Sequence, residues 1–171
     1  REALKPTAVT YNAAISACEA GQFYQQMLET ALLEEMRQRQ LQPDVVTYNS
    51  VIRACEGRKD WAQALAFMEE LRREALRPDF LTYVAAVGAC EKAQQWQSAL
   101  ALLGDMLQEQ VEAGVIVFNA ALAACEKGRQ WQRALLLLAE LPRHSLAPDV
   151  VSFNLAARAC DQEGLWAVAL V

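Results

Sequence analysis

The sequence repeats itself, and the repeat limits the fold more than any other property of the chain. Cysteines stand at 18, 55, 90, 125 and 160, with gaps of 37, 35, 35 and 35. Tyr11, Tyr48, Tyr83, Phe118 and Phe153 keep those gaps, and so do Tyr24, Trp61, Trp96, Trp131 and Trp166. A fixed period of this size marks a solenoid, in which each unit is too small to bury its own apolar face and must stack on its neighbours.

Each unit reads as two helices. The first runs from just after a Pro-Asp pair to about the Cys-Glu pair, as in Val46 to Glu56, and the second opens near the tryptophan, as in Trp61 to Arg73. Pro43, Pro78 and Pro148 lie between units, where a missing N–H is harmless. Asp44, Asp79 and Asp149 follow them, placed as N-caps of the next helix. The Ala/Leu/Glu/Gln content favours helix and no period-2 alternation persists, so the class is all-α. The register divides the chain into a tail of a preceding unit (1–7) and units at 8–44, 45–79, 80–114, 115–149 and 150–171, the last truncated. Arg1-Glu-Ala-Leu-Lys-Pro-Thr7 matches Arg73-Glu-Ala-Leu-Arg-Pro-Asp79, which suggests a slice of a longer array. The first unit carries two extra residues between Tyr24 and Met36, predicting a longer or bulged second helix. Pro142 is expected to end the second helix of the fourth unit early.

Composition narrows the function. With 54% hydrophobic and 22% charged residues the chain is neither disordered nor collagen-like. A net charge of −5 provides no global basic field. No apolar run approaches the roughly 18 residues of a membrane span. A single histidine, His144, argues against a Ser-His-Asp or Cys-His machine and is expected in an exposed loop. Structural zinc wants cysteines in pairs two to four residues apart, whereas here each unit holds one, so the cysteines are expected to be small buried packing residues. No cofactor or metal site is expected.

The aromatic and tryptophan columns are read mainly as core. The asparagines ask for more. Asn12, Asn49, Asn119 and Asn154 recur directly after the aromatic, although Asn is a mediocre helix former that gains little from burial. Near a first turn it could bond free backbone N–H groups or its counterpart next door. The functional alternative is an exposed amide ladder facing a concave groove. Three residues before each Asn stands an apolar residue (Val9, Val46, Ile116, Val151; with Leu81 at the same place in the third unit), on the same helix face. A greasy contact beside an amide suits a planar ligand with a polar edge.

With the 35-residue period, the Val-Val-Thr-Tyr-Asn opening at Val45 to Asn49 and the Leu-Gln-Pro-Asp closing at Leu41 to Asp44, the sequence resembles the pentatricopeptide repeat (PPR) family. The related tetratricopeptide pattern, with period 34 and an early Trp-x-x-Leu-Gly, is not found. The resemblance implies a right-handed α-solenoid that binds single-stranded RNA at one base per repeat, with no catalysis. It implies that the fifth and last residues of a unit select the base and that the second packs against it. The implied base-selecting pairs are Asn12 with Asp44, Asn49 with Asp79, Val84 with Gly114, and Asn119 with Asp149, with Asn154 alone in the last unit. The implied base-packing residues are Val9, Val46, Leu81, Ile116 and Val151. Asn/Asp pairs imply uracil, Val84/Gly114 departs from the pattern, and the implied target is 5′-U-U-N-U-pyrimidine. Location in mitochondria or plastids and work in RNA processing are likewise implied by the resemblance, whose members include some fused to nuclease or deaminase-like domains.

Charge pulls the other way. Glu19, Glu56, Glu91, Glu126 and Asp161 form an acidic column at the ends of the first helices, relieved by Lys92, Lys127, Arg53 and Arg158. Few phosphate contacts and a shallow salt dependence are expected. The alternative this favours is a solenoid whose groove takes a protein partner. Glu34, Glu35, Glu69 and Glu70 fall on second helices, expected on the convex face.

Overall fold

The computed structural model describes residues 6–18 and 25–162, and among these the chain is helical without strands. The helices are α1 (Ala8–Cys18), α2 (Gln25–Gln38), α3 (Val45–Arg58), α4 (Trp61–Arg73), α5 (Phe80–Lys92), α6 (Trp96–Gln108), α7 (Val115–Lys127), α8 (Trp131–Glu140) and α9 (Val150–Asp161), with a 3₁₀ turn at Leu141–His144 between the last two. Tyr24, Glu19 and Trp166 lie outside the described residues.

The odd helices α1, α3, α5, α7 and α9 form one continuous row, each packed on the next. The even helices pack behind, each against its own odd helix, and α4, α6 and α8 also against the following one. The backbones of neighbouring even helices lie further apart and are bridged by side chains. The odd layer is therefore the tighter one, and the stack bends toward it, making the odd-helix face concave. This is an α-solenoid.

Local chemistry explains where each helix starts and stops. Asp44, Asp79 and Asp149 sit in extended backbone and accept the N–H of Thr47, Thr82 and Ser152 at 2.8–2.9 Å. The Thr or Ser hydroxyl in turn accepts the Asp N–H, closing a capping box. Helix ends are closed by a left-handed residue at the same period: Lys59, Gln94 and Arg129 after odd helices, and Gln40, Ala75, Gln110 and Ser145 after the even segments. The next N–H then reaches back five residues, as in Asp60 to Cys55 (3.0 Å), Gln95 to Cys90 (2.9 Å) and Gln130 to Cys125 (2.8 Å). α2 is described from Gln25 onward, and residues 19–24 before it lie outside the described residues. Pro142 shortens α8 to 10 residues and turns the chain into 3₁₀ geometry. His144 is exposed but belongs to that turn rather than to a loop, its ring 5.7 Å from Phe118.

The core runs the length of the stack. Cys55, Cys90, Cys125 and Cys160 are fully buried thiols outside any disulfide. Burial pushes Cys90 and Cys125 up to about 11 and raises Cys160 as well. Tyr11, Tyr48, Tyr83 and Phe118 are buried, while Trp61, Trp96 and Trp131 are half-buried against the core. Phe153 departs from the core reading: it is 56% exposed, and the segment expected to cover it lies outside the described residues. The buried tyrosines carry a hydroxyl that needs a partner. Arg37 Nη2 donates to the Tyr48 hydroxyl and Arg72 Nη2 to that of Tyr83, both at 3.1 Å. Where the arginine position holds Leu107 or Pro142, the aromatic is Phe118 or Phe153.

Candidate functional site

Eight large hydrophobic side chains are conspicuously exposed among the described residues. Five of them, Val9, Val46, Leu81, Ile116 and Val151, occupy one register position, the second residue of each odd helix, at 52–76% exposure. Scattered exposed aliphatics need no explanation. A column of five on the concave face does, because covering each could contribute about 1.5–3 kcal/mol.

Beside this column the structure brings together three of the sequence-derived pairs. Asn12 Nδ2 donates to Asp44 Oδ1 at 3.4 Å, Asn49 Nδ2 to both Asp79 oxygens at 3.1 and 3.2 Å, and Asn119 Nδ2 to both Asp149 oxygens at 3.1 and 3.3 Å. These amides are half-buried rather than an exposed ladder, and their partner is the capping carboxylate of the next unit, not backbone N–H or a neighbouring Asn. Asn154 is exposed. Val84 is half-buried in the third slot, and Gly114 caps α7 in extended backbone with no side-chain bond.

One set of residues was not singled out in the sequence. Thr47, Thr82 and Ser152 are fully buried, and their hydroxyls donate to Asn12, Asn49 and Asn119 Oδ1 at 2.7, 2.5 and 2.7 Å. The signal was present as Asp-x-x-Thr/Ser, the spacing of a capping box. Each slot is thus a three-residue cluster of Asn, the next unit's Asp, and the next unit's Thr or Ser. Partial burial works to raise the Asp44 carboxyl, but the Thr47 N–H, the Thr47 hydroxyl and the Asn12 amide outweigh it and hold it below its ordinary value. The Ser152 N–H is the main cause of the same depression at Asp149, with the Asn119 amide and Ser152 hydroxyl adding to it. Both stay ionised acceptors at neutral pH.

Between α3 and α5 this arrangement leaves a groove of about 400 Å³. Val46 and Leu81 line it together with Asn49, Asp79 and Val84, and Arg53 and Glu56 lie on its lining as well. Three members of the acidic column nearby are paired within the protein. Lys92 pairs with Glu56 of the preceding unit (2.7 Å), Lys127 pairs with Glu91, and Arg158 (3.0 Å) and Gln162 (3.0 Å) engage the buried Glu126. On the even helices, too, several acids are engaged: Arg37 pairs with Glu70 and Glu74, and Arg72 with Glu69, Asp105 and Glu109. Among the described residues no helix is long and apolar enough to cross a membrane, and no group of His, Cys, Asp and Glu could hold a metal ion.

Residues 31–93 match the family model described as the pentatricopeptide repeat domain. The crystal structure of the pentatricopeptide repeat protein PPR10 from maize superposes on 98% of this chain with a TM-score of 0.75 and 28% identity. Residues 31–93 thus carry a pentatricopeptide-repeat match within a chain that shares the solenoid fold. The chain spans 24% of the PPR10 chain. PPR10 in complex with an 18-nt psaJ RNA element gives a TM-score of 0.67 over 97% of this chain and 22% of its own, again at 28% identity. The PPR domain of Arabidopsis thaliana protein-only RNase P 1, in complex with tRNA, shares the fold at 11% identity, with a TM-score of 0.76 over 95% of this chain and 86% of that one. No curated protein matches the sequence.

Proposed function

We propose that this array is a sequence-selective single-stranded RNA-binding module that reads one base per repeat and acts by binding, not by catalysis. The observation that carries the reading is the column of exposed aliphatics at the second position of every odd helix, set beside joined Asn/Asp pairs. A base between Val46 and Leu81 would cover apolar surface while its edge meets the Asn49 amide, and unpaired bases are the usual target of such contacts. Solved PPR structures described as RNA complexes lend weight to the reading. Asn12/Asp44, Asn49/Asp79 and Asn119/Asp149 would each take uracil, the Val84/Gly114 slot would be unselective, and Asn154 would take a pyrimidine, giving 5′-U-U-N-U-pyrimidine. An organellar transcript is the corresponding target class, its processing or expression the outcome.

Pairing of Glu56, Glu91 and Glu126 within the protein softens the acidic column locally, but the net charge stays −5 and no basic stripe is supplied. Affinity should therefore come from base contacts more than from phosphates, with a shallow salt slope. Fluorescence anisotropy with 5′-U-U-C-U-U RNA, an A-rich RNA and the matching DNA at moderate salt tests this. Preference for the U-rich RNA is expected, and Asn49→Thr should move the second base from uracil toward guanine. Equal binding of all three would overturn the reading. A protein partner is the second reading, favoured by the apolar cleft of Leu100, Leu103, Leu107 and Leu136 on the convex side. It predicts that RNA of any sequence fails to compete with such a partner.

A further inference from the structure

We propose that Thr47, Thr82 and Ser152 are positioning residues for base selection, each fixing the amide of the Asn in the preceding repeat. The proposal rests on the RNA reading above. A carboxamide held at one end can still turn about that bond, and it then offers a ligand a donor or an acceptor according to its angle. Held at both ends, it keeps one plane and one order of donor and acceptor. The structure supplies both holds. The Asp carboxylate, which can only accept, takes the Nδ2 end, and the hydroxyl proton takes the Oδ1 end. Each hydroxyl already accepts the Asp backbone N–H at 3.1–3.2 Å, so its own proton is left to donate. Two acceptors lie within reach of that proton, and in every slot the amide oxygen is nearer: 2.7, 2.5 and 2.7 Å, against 2.8, 2.9 and 2.9 Å to Asp Oδ1. One Nδ2 hydrogen and one Oδ1 lone pair then remain for a ligand, in fixed order.

The third slot is the internal control. There Asn, Asp and Thr are replaced as a set by Val84, Gly114 and Val117. Val117 is fully buried, as Thr82 is, so the site accepts an isosteric apolar side chain. In the four slots whose three positions all lie in the chain, a hydroxyl is present at this position where the Asn and Asp are present, and absent where they are absent; Thr10 carries one beside Thr7.

The test measures binding of this protein to four RNAs differing only at the base opposite Asn49, the second counted from the 5′ end. Uracil preference there in the wild type is the premise, and its absence refutes the RNA reading itself. Given that premise, Thr82→Val should reduce the preference roughly two- to tenfold at that base alone, the range one net hydrogen bond supplies. Thr82→Ser should keep it, as Ser152 does the same work naturally. Unchanged preference in Thr82→Val, or uniform weakening for all four bases, overturns the proposal. A graft into the third slot decides the matter should Thr82→Val fail to fold. Val84→Asn/Gly114→Asp with Val117→Thr should create a stronger uracil preference at the third base than the same pair with Val117 retained, and equality of the two overturns the positioning role.

Discussion

Arg72 and Tyr83 should behave as one energetic unit, and the chain contains its own template for removing them. Tyr83 is fully buried, and its hydroxyl receives Arg72 Nη2 at 3.1 Å. Burial and the nearby Glu109, opposed by Arg72, push this phenol up to about 12. Tyr83→Phe deletes one hydrogen bond, but Arg72 keeps Glu109 at 3.0 Å and Glu69 at 3.3 Å, so the cost should be about 0.5–1.5 kcal/mol. Arg72→Leu leaves the buried hydroxyl with the Glu109 carboxylate as its remaining neighbour, at about 1–3 kcal/mol. The ion pairs it removes are partly exposed and add little. The double variant reproduces the Leu107 and Phe118 of the next unit, where no hydroxyl needs a partner, and should lie within about 1 kcal/mol of wild type. A coupling of about 1 kcal/mol is therefore expected from urea unfolding of the four proteins followed by circular dichroism. Single costs that add to within about 0.5 kcal/mol would refute the reasoning.

Three further outcomes are expected. A Cβ at Gly128 would overlap the Trp96 indole, whereas nothing lies within 4 Å of one at Gly57, so Gly128→Ala should lower the thermal midpoint and Gly57→Ala raise it by the equivalent of about 0.5–1 kcal/mol. Maleimide labelling followed by peptide mass spectrometry should find Cys55, Cys90, Cys125 and Cys160 protected until urea unfolds the array, because they are buried and the thiolate of Cys90 and Cys125 forms only near pH 11. Asp44 and Asp149 have native pKa values below their ordinary 3.8, so the stability they contribute is full above about pH 4 and is lost as the pH falls through the native values. Asp44→Asn/Asp149→Asn, which keeps a capping side chain, should accordingly be less stable than wild type at pH 7 and match it at the acid end of a urea titration series.

Much of this architecture is written in short-range signals. The period gives the stack, Pro-Asp gives each odd-helix start, and Pro142 gives the early end of α8, because each acts within a turn or two of backbone. The Asn/Asp pairs were also legible, since their spacing repeats and an amide in a first helical turn calls for a reason. Other features depend on what stacking brings near. The Arg37–Tyr48 and Arg72–Tyr83 bonds join side chains 11 residues apart across a helix end, and nothing in either residue alone announces the pair. The left-handed helix ends fall on Lys59, Ala75 and Gln94 rather than on the glycines that sequence rules look for, because the five-residue return bond and packing outweigh the cost of a Cβ there. Half-burial of Asn12, Asn49 and Asn119 comes from the following unit, which a reading confined to one unit does not include.

On the proposed reading, the shared carboxylates would tie stability to readout. Asp79 caps α5 through the Thr82 N–H and holds Asn49 on α3, so one side chain starts a helix and joins it to the helix before. The distance from one amide to the next is then set by how odd helices stack, not by any loop, which is a requirement for reading a chain of evenly spaced bases. It also means that loss of binding on replacing Asp79 with Ala would be ambiguous, since the cap alone contributes about 0.5–2 kcal/mol. Changes that leave the cap in place, at Asn49 or at the Thr82 hydroxyl, separate the two roles. The third slot, with Val84, Gly114 and Val117, shows that the stack itself survives without the cluster. Its retention in the other slots therefore points to what the amides face, across the groove between Val46 and Leu81, and not to the needs of the solenoid.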